Sequence, residues 1–261
     1  SFGSRQVFKQ WAAFGNLEYD VADNLTLKAG IRYSDSKRTA VNRAYDTPGY
    51  VEPNPNSPGL TRFFNIVMPA VYVPIFCPGV TFKPVVPGQS ISINPDTCVS
   101  GDYRGTLKED NVPWSLGLDF KPVDSLLLYA NVSRGFKGGA FPIANGASQD
   151  QYHPVPQEKL TAYELGFKSN LADNRIMLNG AAFYYDYANK QTRGKTVDPL
   201  FGALEQLVSI PKSRTYGAEL DLTAVPIRGL TLRTAVTWLD AKIKTYDGIV
   251  GANNVGGLLF P

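Results

Sequence analysis

The residues able to do chemistry are few and poorly placed for it. A hydrolytic triad needs a histidine, and the single one, His153, lies between Tyr152 and Pro154 with no G-x-S-x-G elbow anywhere to serve it. A solvated loop histidine is the simpler reading. Gly194-Lys195-Thr196 has the ending of a phosphate-binding loop, but the glycine that should open that loop falls at Asn189. Glu109 with Asp110, and Glu219 with Asp221, are carboxylate pairs of the kind glycosidases use. The spacing of Glu219 and Asp221 instead places both on one polar strand face. Cys77 and Cys98 share a Pro/Gly-rich stretch with no CxxC pattern and no neighbouring histidine, which argues against a metal site. They are expected to form one disulfide closing about 22 residues, worth about 3 kcal/mol, with two free thiols as the alternative. No enzyme activity, metal or cofactor is expected.

The elements that would hold any site are strands. The 261 residues include 14 Tyr, 14 Phe and 3 Trp, with 43% apolar and 19% charged residues, so wholesale disorder is excluded. The 24 Gly and 19 Pro cluster between runs of Val, Leu, Tyr and Thr, as in all-β chains. The 26 basic and 23 acidic residues are scattered, and no basic stripe suited to nucleic acid exists. Phe63–Phe82 is uncharged and long enough for a membrane helix, but Pro69, Pro74 and Pro78 oppose one.

Period-two alternation recurs through the chain. Leu25, Leu27, Ala29, Ile31 and Tyr33 alternate with Thr26, Lys28, Gly30, Arg32 and Ser34, giving an extended strand one apolar and one polar face. Trp114–Lys121, Leu126–Ser133, Tyr163–Lys168, Tyr216–Leu222 and Leu230–Trp238 repeat the pattern. Arg175–Tyr187 reads as a strand of uncertain facing, because Met177, Phe183 and Tyr185 share a face with Asn179. Short turns near Asp20–Asn24, Pro122–Ser125, Ala172–Asn174 and Pro226–Gly229 alternate with long connections at about 39–105, Gly139–Pro156, Thr192–Pro211 and Tyr246 onward. Eight strands in four hairpins follow, the first at Gln6–Tyr19 and the last at Gly229–Thr245.

Structureless connections beyond about 12 to 15 residues are uncommon in compact soluble domains. Outer-membrane barrels combine short periplasmic turns with long external loops and an apolar lipid face with a polar lumen face. Tyr19, Tyr33, Trp114, Phe120, Tyr129 and Trp238 are expected near strand ends, as in aromatic girdles. Ser1–Gln10 has no apolar h-region, and both chain ends fall on the external side, so the sequence reads as an internal piece of a larger barrel.

From Tyr129 the sequence becomes recognisable. The run Tyr129-Ala-Asn-Val-Ser-Arg-Gly135-Phe-Lys-Gly-Gly-Ala-Phe141 resembles a segment typical of TonB-dependent outer-membrane receptors, and so do Gln157-Glu158-Lys159, Tyr163–Lys168, Ala182–Tyr187 with Gln191, and Tyr216–Leu220. The resemblance covers about Trp114–Lys244, with weaker support from Phe8–Tyr33. It implies an all-β, antiparallel transmembrane barrel of meander hairpins, here about eight of 22 strands, closed in the family by an N-terminal plug preceded by a TonB box. Residues 1–261 are expected to be a partial barrel domain, with plug, TonB box and the family's aromatic-ended last strand not recognisable; Phe260-Pro261 does not match that strand.

Lys28, Arg32, Glu164, Lys168, Glu219, Asp221 and Arg233 are expected on the lumen face, where some would contact plug or ligand. An Arg or Lys at the lipid midplane would cost roughly 2–4 kcal/mol, so inward placement follows from energetics alone. Phe63, Phe64, Tyr72, Phe76 and Phe82 are candidates for an external ligand platform, with packing of the long loop as the alternative. Gly135–Phe141 is read as structural, its glycines letting the strand break into a loop. The resemblance implies uptake of a scarce nutrient, a ferric siderophore being the commonest family ligand, with cobalamin or an oligosaccharide open. The implied partners are TonB, outer-membrane lipid and lipopolysaccharide. A passive porin-like channel and a β-sheet hydrolase are the rival readings.

Overall fold

The computed structural model describes residues 2–44, 60–86, 89–94, 96–143, 148–198 and 202–245. The strands are β1 (Phe2–Ala22), β2 (Leu25–Ala44), β3 (Ile93–Asn94), β4 (Val99–Ser100), β5 (Tyr103–Asn111), β6 (Trp114–Val123), β7 (Leu126–Lys137), β8 (Glu158–Leu171), β9 (Ile176–Asp198), β10 (Gly202–Ile227) and β11 (Leu230–Thr245). All but β3 and β4 form one open antiparallel meander in the order β1-β2-β6-β7-β8-β9-β10-β11, with β5 beside β2. β5 and β6 act as one strand. Ser34 pairs with Asn111 and Ile31 with Trp114 in unbroken register, and the ladder lapses only at Val112-Pro113, where proline has no N–H to give.

The four short turns occur where the alternation places them, between β1 and β2, β6 and β7, β8 and β9, and β10 and β11. Ala172, Asp173 and Asn174 all take positive φ to make the β8–β9 turn, and Gly229 does so before β11. The long connections are shorter than the sequence suggests. The β2 ladder continues to Ala44 and resumes at Tyr103, and Thr192–Pro211 is a paired hairpin rather than a loop, with Thr192 opposite Val208 and Asp198 opposite Gly202. Those stems mix polar and apolar residues without a clean alternation, so the period-two pattern does not reveal them, while backbone pairing continues the ladder. A membrane strand needs about 9–11 residues. β9 has 23 and β10 has 26, more than twice that length.

Phe63–Phe82 also departs from an irregular loop. It lies largely in short helices, α1 (Leu60–Val67), a π-helical turn (Met68–Tyr72) and α2 (Val73–Phe76), none long enough to cross a membrane. Pro69 falls in the first turn of its segment, where the missing N–H is not needed. Phe64, Met68, Val73, Cys77, Val85, Ile91 and Ile93 close around Ala44 of β2 as a small separate core, and a disulfide joins Cys77 to Cys98. Asn65 ties α1 to the chain at Val85 by two 2.8 Å hydrogen bonds, donating from Nδ2 to its carbonyl and accepting its N–H at Oδ1.

Candidate functional site

Directly opposed residues in a ladder share a face, so register decides which side chains meet. Lys28 lies opposite Glu18 and Gly117, Gly117 opposite Asn131, Asn131 opposite Glu164, Glu164 opposite Phe183, and Phe183 opposite Gly217. Two residues along, Glu219 opposes Ala181 and Thr237, while Asn179 opposes both Lys168 and Asp221. Arg233 opposes Thr223 on that same face. All seven charged candidates, Arg32 included, therefore stand on one polar wall. The other face carries Tyr19, Leu27, Ile31, Tyr33, Trp114, Leu118, Phe120, Leu165, Leu220 and Trp238.

The wall is not a single cluster. Lys28 bridges Asp119 at 2.6 Å and Glu18 at 3.9 Å, and Arg32 donates to Ser34 Oγ at 2.9 Å. Farther along, Lys168, Glu219 and Asp221 line one groove with Tyr129 and Asn179, and the Lys168 ammonium lies 5.9 Å from the Tyr129 ring. Tyr129 is near the start of β7, as expected, but on the polar wall rather than on the apolar face that a girdle occupies. Its ring covers Gly166, where an added Cβ would lie 2.6 Å from the phenol oxygen and 2.6 Å from the Gly180 carbonyl oxygen. Sequence reasoning also missed Phe183 and Tyr185, stacked at 4.8 Å on the polar wall; their shared face with Asn179 was the available signal.

At the external end the polar side of β1, β2 and β5 is covered. Ser34, Ala40 and Asn42 of β2 and Tyr103 of β5 are buried, while Lys37 on the opposite face is exposed. The cover comes from the connection between β7 and β8. Phe141 and Tyr152 pack on Ala40 and Tyr103, Gln6 Nε2 and Asn42 Nδ2 donate to the carbonyls of Phe141 and Pro142, and burial pushes the Tyr103 phenol pKa up. The same connection is clasped to the disulfide segment. Gln149 Nε2 donates to the Gly101 carbonyl at 2.9 Å, and Tyr152 OH lies 3.1 Å from Ser92 Oγ. Tyr152→Phe is expected to loosen this clasp by about 0.5–1.5 kcal/mol, measured as faster amide hydrogen exchange at residues 148–155. Unchanged exchange there would show that the hydroxyl contributes nothing.

The motif residues turn out to be the staples of this cover. Gln191 Nε2 donates to the carbonyls of Gly138 and Pro156 at 3.0 and 3.1 Å, and the Gln191 N–H donates to Glu158 Oε2 at 2.8 Å. The Gly139 N–H donates to Glu109 Oε2 at 2.7 Å, and a Cβ at Gly139 would lie 2.6 Å from the Val155 carbonyl oxygen, so glycine is required there. Gly135 has open space around it and no such requirement.

The platform aromatics divide. Phe64 is fully buried in the loop core and Phe82 packs against that core, so these two are structural; Phe63 remains exposed. The side chains of Tyr72 and Phe76 lie outside the described residues, as do 45–59 and Tyr246 onward, including Phe260-Pro261. His153 is exposed, 4.0 Å from Asp150 and beside the Tyr103 ring, with no nucleophile in a triad arrangement among the described residues.

A meander sheet with one apolar and one polar face, tight turns at one end and folded loops at the other, is a barrel wall. The profile described as "TonB dependent receptor-like, beta-barrel" matches residues 1–260. The chain belongs to the TonB-dependent receptor β-barrel family. Its fold is shared with the ferric yersiniabactin uptake receptor of Yersinia pestis at 16% identity and TM-score 0.60, over 94% of this chain and 29% of that one. The closed form of the ferric-catecholate import receptor of E. coli K12 aligns at 14% identity and TM-score 0.58, over 93% and 29%. The copper transporter OprC aligns at 13% identity and TM-score 0.56, over 92% and 30%. The chain thus spans about three tenths of the length of these receptors. Family members are outer-membrane transporters rather than enzymes.

Proposed function

We propose that this chain is the wall and part of the external mouth of a receptor that takes up a scarce nutrient, a ferric siderophore first among the candidates, when TonB acts on a plug held inside the barrel. The observation that carries the reading is the cover built by the β7–β8 connection over the polar wall, tied down by Gln191, Glu109 and the disulfide segment. A passive pore needs only a polar wall. A folded cover at its mouth suits selection of one ligand over free diffusion. The polar wall, with Lys168, Glu219 and Asp221 in one groove beside Tyr129, is the surface offered to plug and ligand. Both iron-chelate receptors and a copper transporter share the fold, so the metal carried is a matter for experiment.

The test is uptake by the full-length protein in iron-starved cells, with ferric siderophores of catecholate, hydroxamate and phenolate type and a copper salt as probes. Uptake of one ferric chelate that vanishes without TonB or with a protonophore is expected. Uptake indifferent to TonB would replace the reading with a passive channel, and TonB-dependent uptake of copper alone would keep the receptor and change its cargo.

A further inference from the structure

The polar wall carries one apolar file. Phe183, Tyr185 and Tyr187 follow one another at alternate positions of β9, so all three stand on that wall, spread over about 14 Å of strand. The residues directly opposite Tyr185 are Ala162 and Thr215, and those opposite Tyr187 are Leu160 and Ser213. Gly217, opposite Phe183, lies under that ring, since a Cβ there would stand 2.9 Å from Phe183 Cζ. Leu239, Ala241 and Ile243 continue the same three rows on β11. Of the residues in these rows from β8 to β11, only Glu164 is charged. An apolar patch rimmed by polar residues marks a binding surface.

The rings and the ends of the file narrow what binds there. Phe183 and Tyr185 lie 4.8 Å apart centre to centre at 24°, an offset stack that a further flat ring can extend. All three rings are half-buried and keep part of their surface open. The external end of the file is cationic. Positive φ at Asn189 interrupts the alternation, and the Lys190 ammonium lies 4.4 Å from the centre of the Tyr187 ring. Lys137 stands on the same wall opposite Glu158, and Glu158 accepts the Gln191 N–H at 2.8 Å. Two ammonium groups thus accompany one carboxylate. Gln191 is also the staple that holds the cover, so the file starts directly beneath the covered mouth and runs inward to Phe183.

We propose that Phe183, Tyr185 and Tyr187 form a stacking rail inside the barrel for the flat aromatic rings of an anionic aryl chelate, which the wall takes over from the mouth and hands inward. Ring faces hold ring faces without one fixed register, so a ligand steps from each to the next, whereas a single tight site would retain it. The ammonium groups at the outer end complement the negative charge of such a chelate. A ligand without rings gains nothing from the rail. The proposal rests on the uptake function proposed above, with the polar wall facing the lumen.

The test uses the full-length receptor in energised cells, with radioiron uptake from a ferric tris-catecholate and a ferric tris-hydroxamate complex as probes. Phe183→Leu/Tyr185→Leu/Tyr187→Leu removes the rings and keeps apolar bulk, while Phe183→Tyr/Tyr185→Phe/Tyr187→Phe keeps the rings and moves the hydroxyls. The maximal uptake rate of the catecholate complex is expected to fall about tenfold in the leucine variant and to be restored in the ring-keeping one. Binding of that complex to cells treated with a protonophore, which reads the mouth alone, should not change. If the leucine variant is missing from the outer membrane, Tyr185→Leu alone carries the test, with a loss of about threefold. An unchanged rate without the rings, or a ring-keeping variant as slow as the leucine one, would overturn the proposal. Equal loss for both complexes would overturn it too, by assigning the rings to packing within the barrel. So would an unaltered receptor with no TonB-dependent uptake of the catecholate complex, even if it carries the hydroxamate one and the uptake function stands. Uptake of both complexes indifferent to TonB would instead sink the underlying reading.

Discussion

Leu165→Arg is expected to cost the folded barrel about 2–4 kcal/mol in a bilayer, while Glu164→Arg, one residue away, costs far less. Leu165 lies opposite Ala130 and Ala182 on the apolar face, six residues above the end of β8, which puts it near the middle of the lipid band. A guanidinium there loses its water and finds no partner. Glu164 lies opposite Asn131 and Phe183 on the polar wall, where a charge of either sign keeps its solvent. The measurement is urea titration of the full-length barrel in lipid vesicles, followed by the gel shift that separates folded from unfolded barrels. Equal losses for the two variants would show that the faces are assigned wrongly, because only the facing distinguishes neighbouring residues.

Removing the bond between Cys77 and Cys98 is expected to destabilise residues 60–100 by about 3 kcal/mol, leaving the barrel strands intact. The two cysteines are 21 apart in sequence, and the segment they close has a core of only a few side chains, chiefly Phe64, Met68, Ile91 and Ile93. So small a core cannot offset the entropy of ordering its own chain. Local ties help, such as Asn94 Oδ1 accepting the N–H groups of Asp96 and Thr97 just before Cys98, but each is worth about 1 kcal/mol. Cys77→Ser/Cys98→Ser should therefore be cut by protease within 60–100 many times faster than the unaltered protein, with no change in the gel shift of the barrel. Cleavage at an unchanged rate would mean that packing against Ala44 holds the segment without the bond.

The membrane part of this fold was legible because lipid enforces alternation. Leu25 to Tyr33 could be divided into its two faces from the sequence, with Lys28 and Arg32 together on the polar one. The strand at Met177–Tyr187 could not, because aromatics occupy both of its faces: Tyr184 on the apolar side, Phe183 and Tyr185 on the polar wall. Outside the membrane the signal disappeared. Thr192–Pro211 pairs through its backbone with apolar residues on both faces, and the helices at Leu60–Phe76 hide behind prolines in the sequence. The family motif was visible at Gly138-Gly139, Gln157-Glu158 and Gln191, but that these positions meet is a fact of register spread over more than fifty residues.

The clasp over the mouth also sets an order of assembly. Four of the strand pairs of the meander close across tight turns, whereas Gln6 meets the Phe141 carbonyl across 135 residues and Asn42 meets Pro142 across 100. Contacts so distant in sequence carry the largest closure entropy and gain little until the intervening strands are in place. The cover therefore closes last. Until β7 stands beside β6, the disulfide segment and the β7–β8 connection have no common surface on which to meet, so a sealed mouth is itself a record that the wall beneath it has been built.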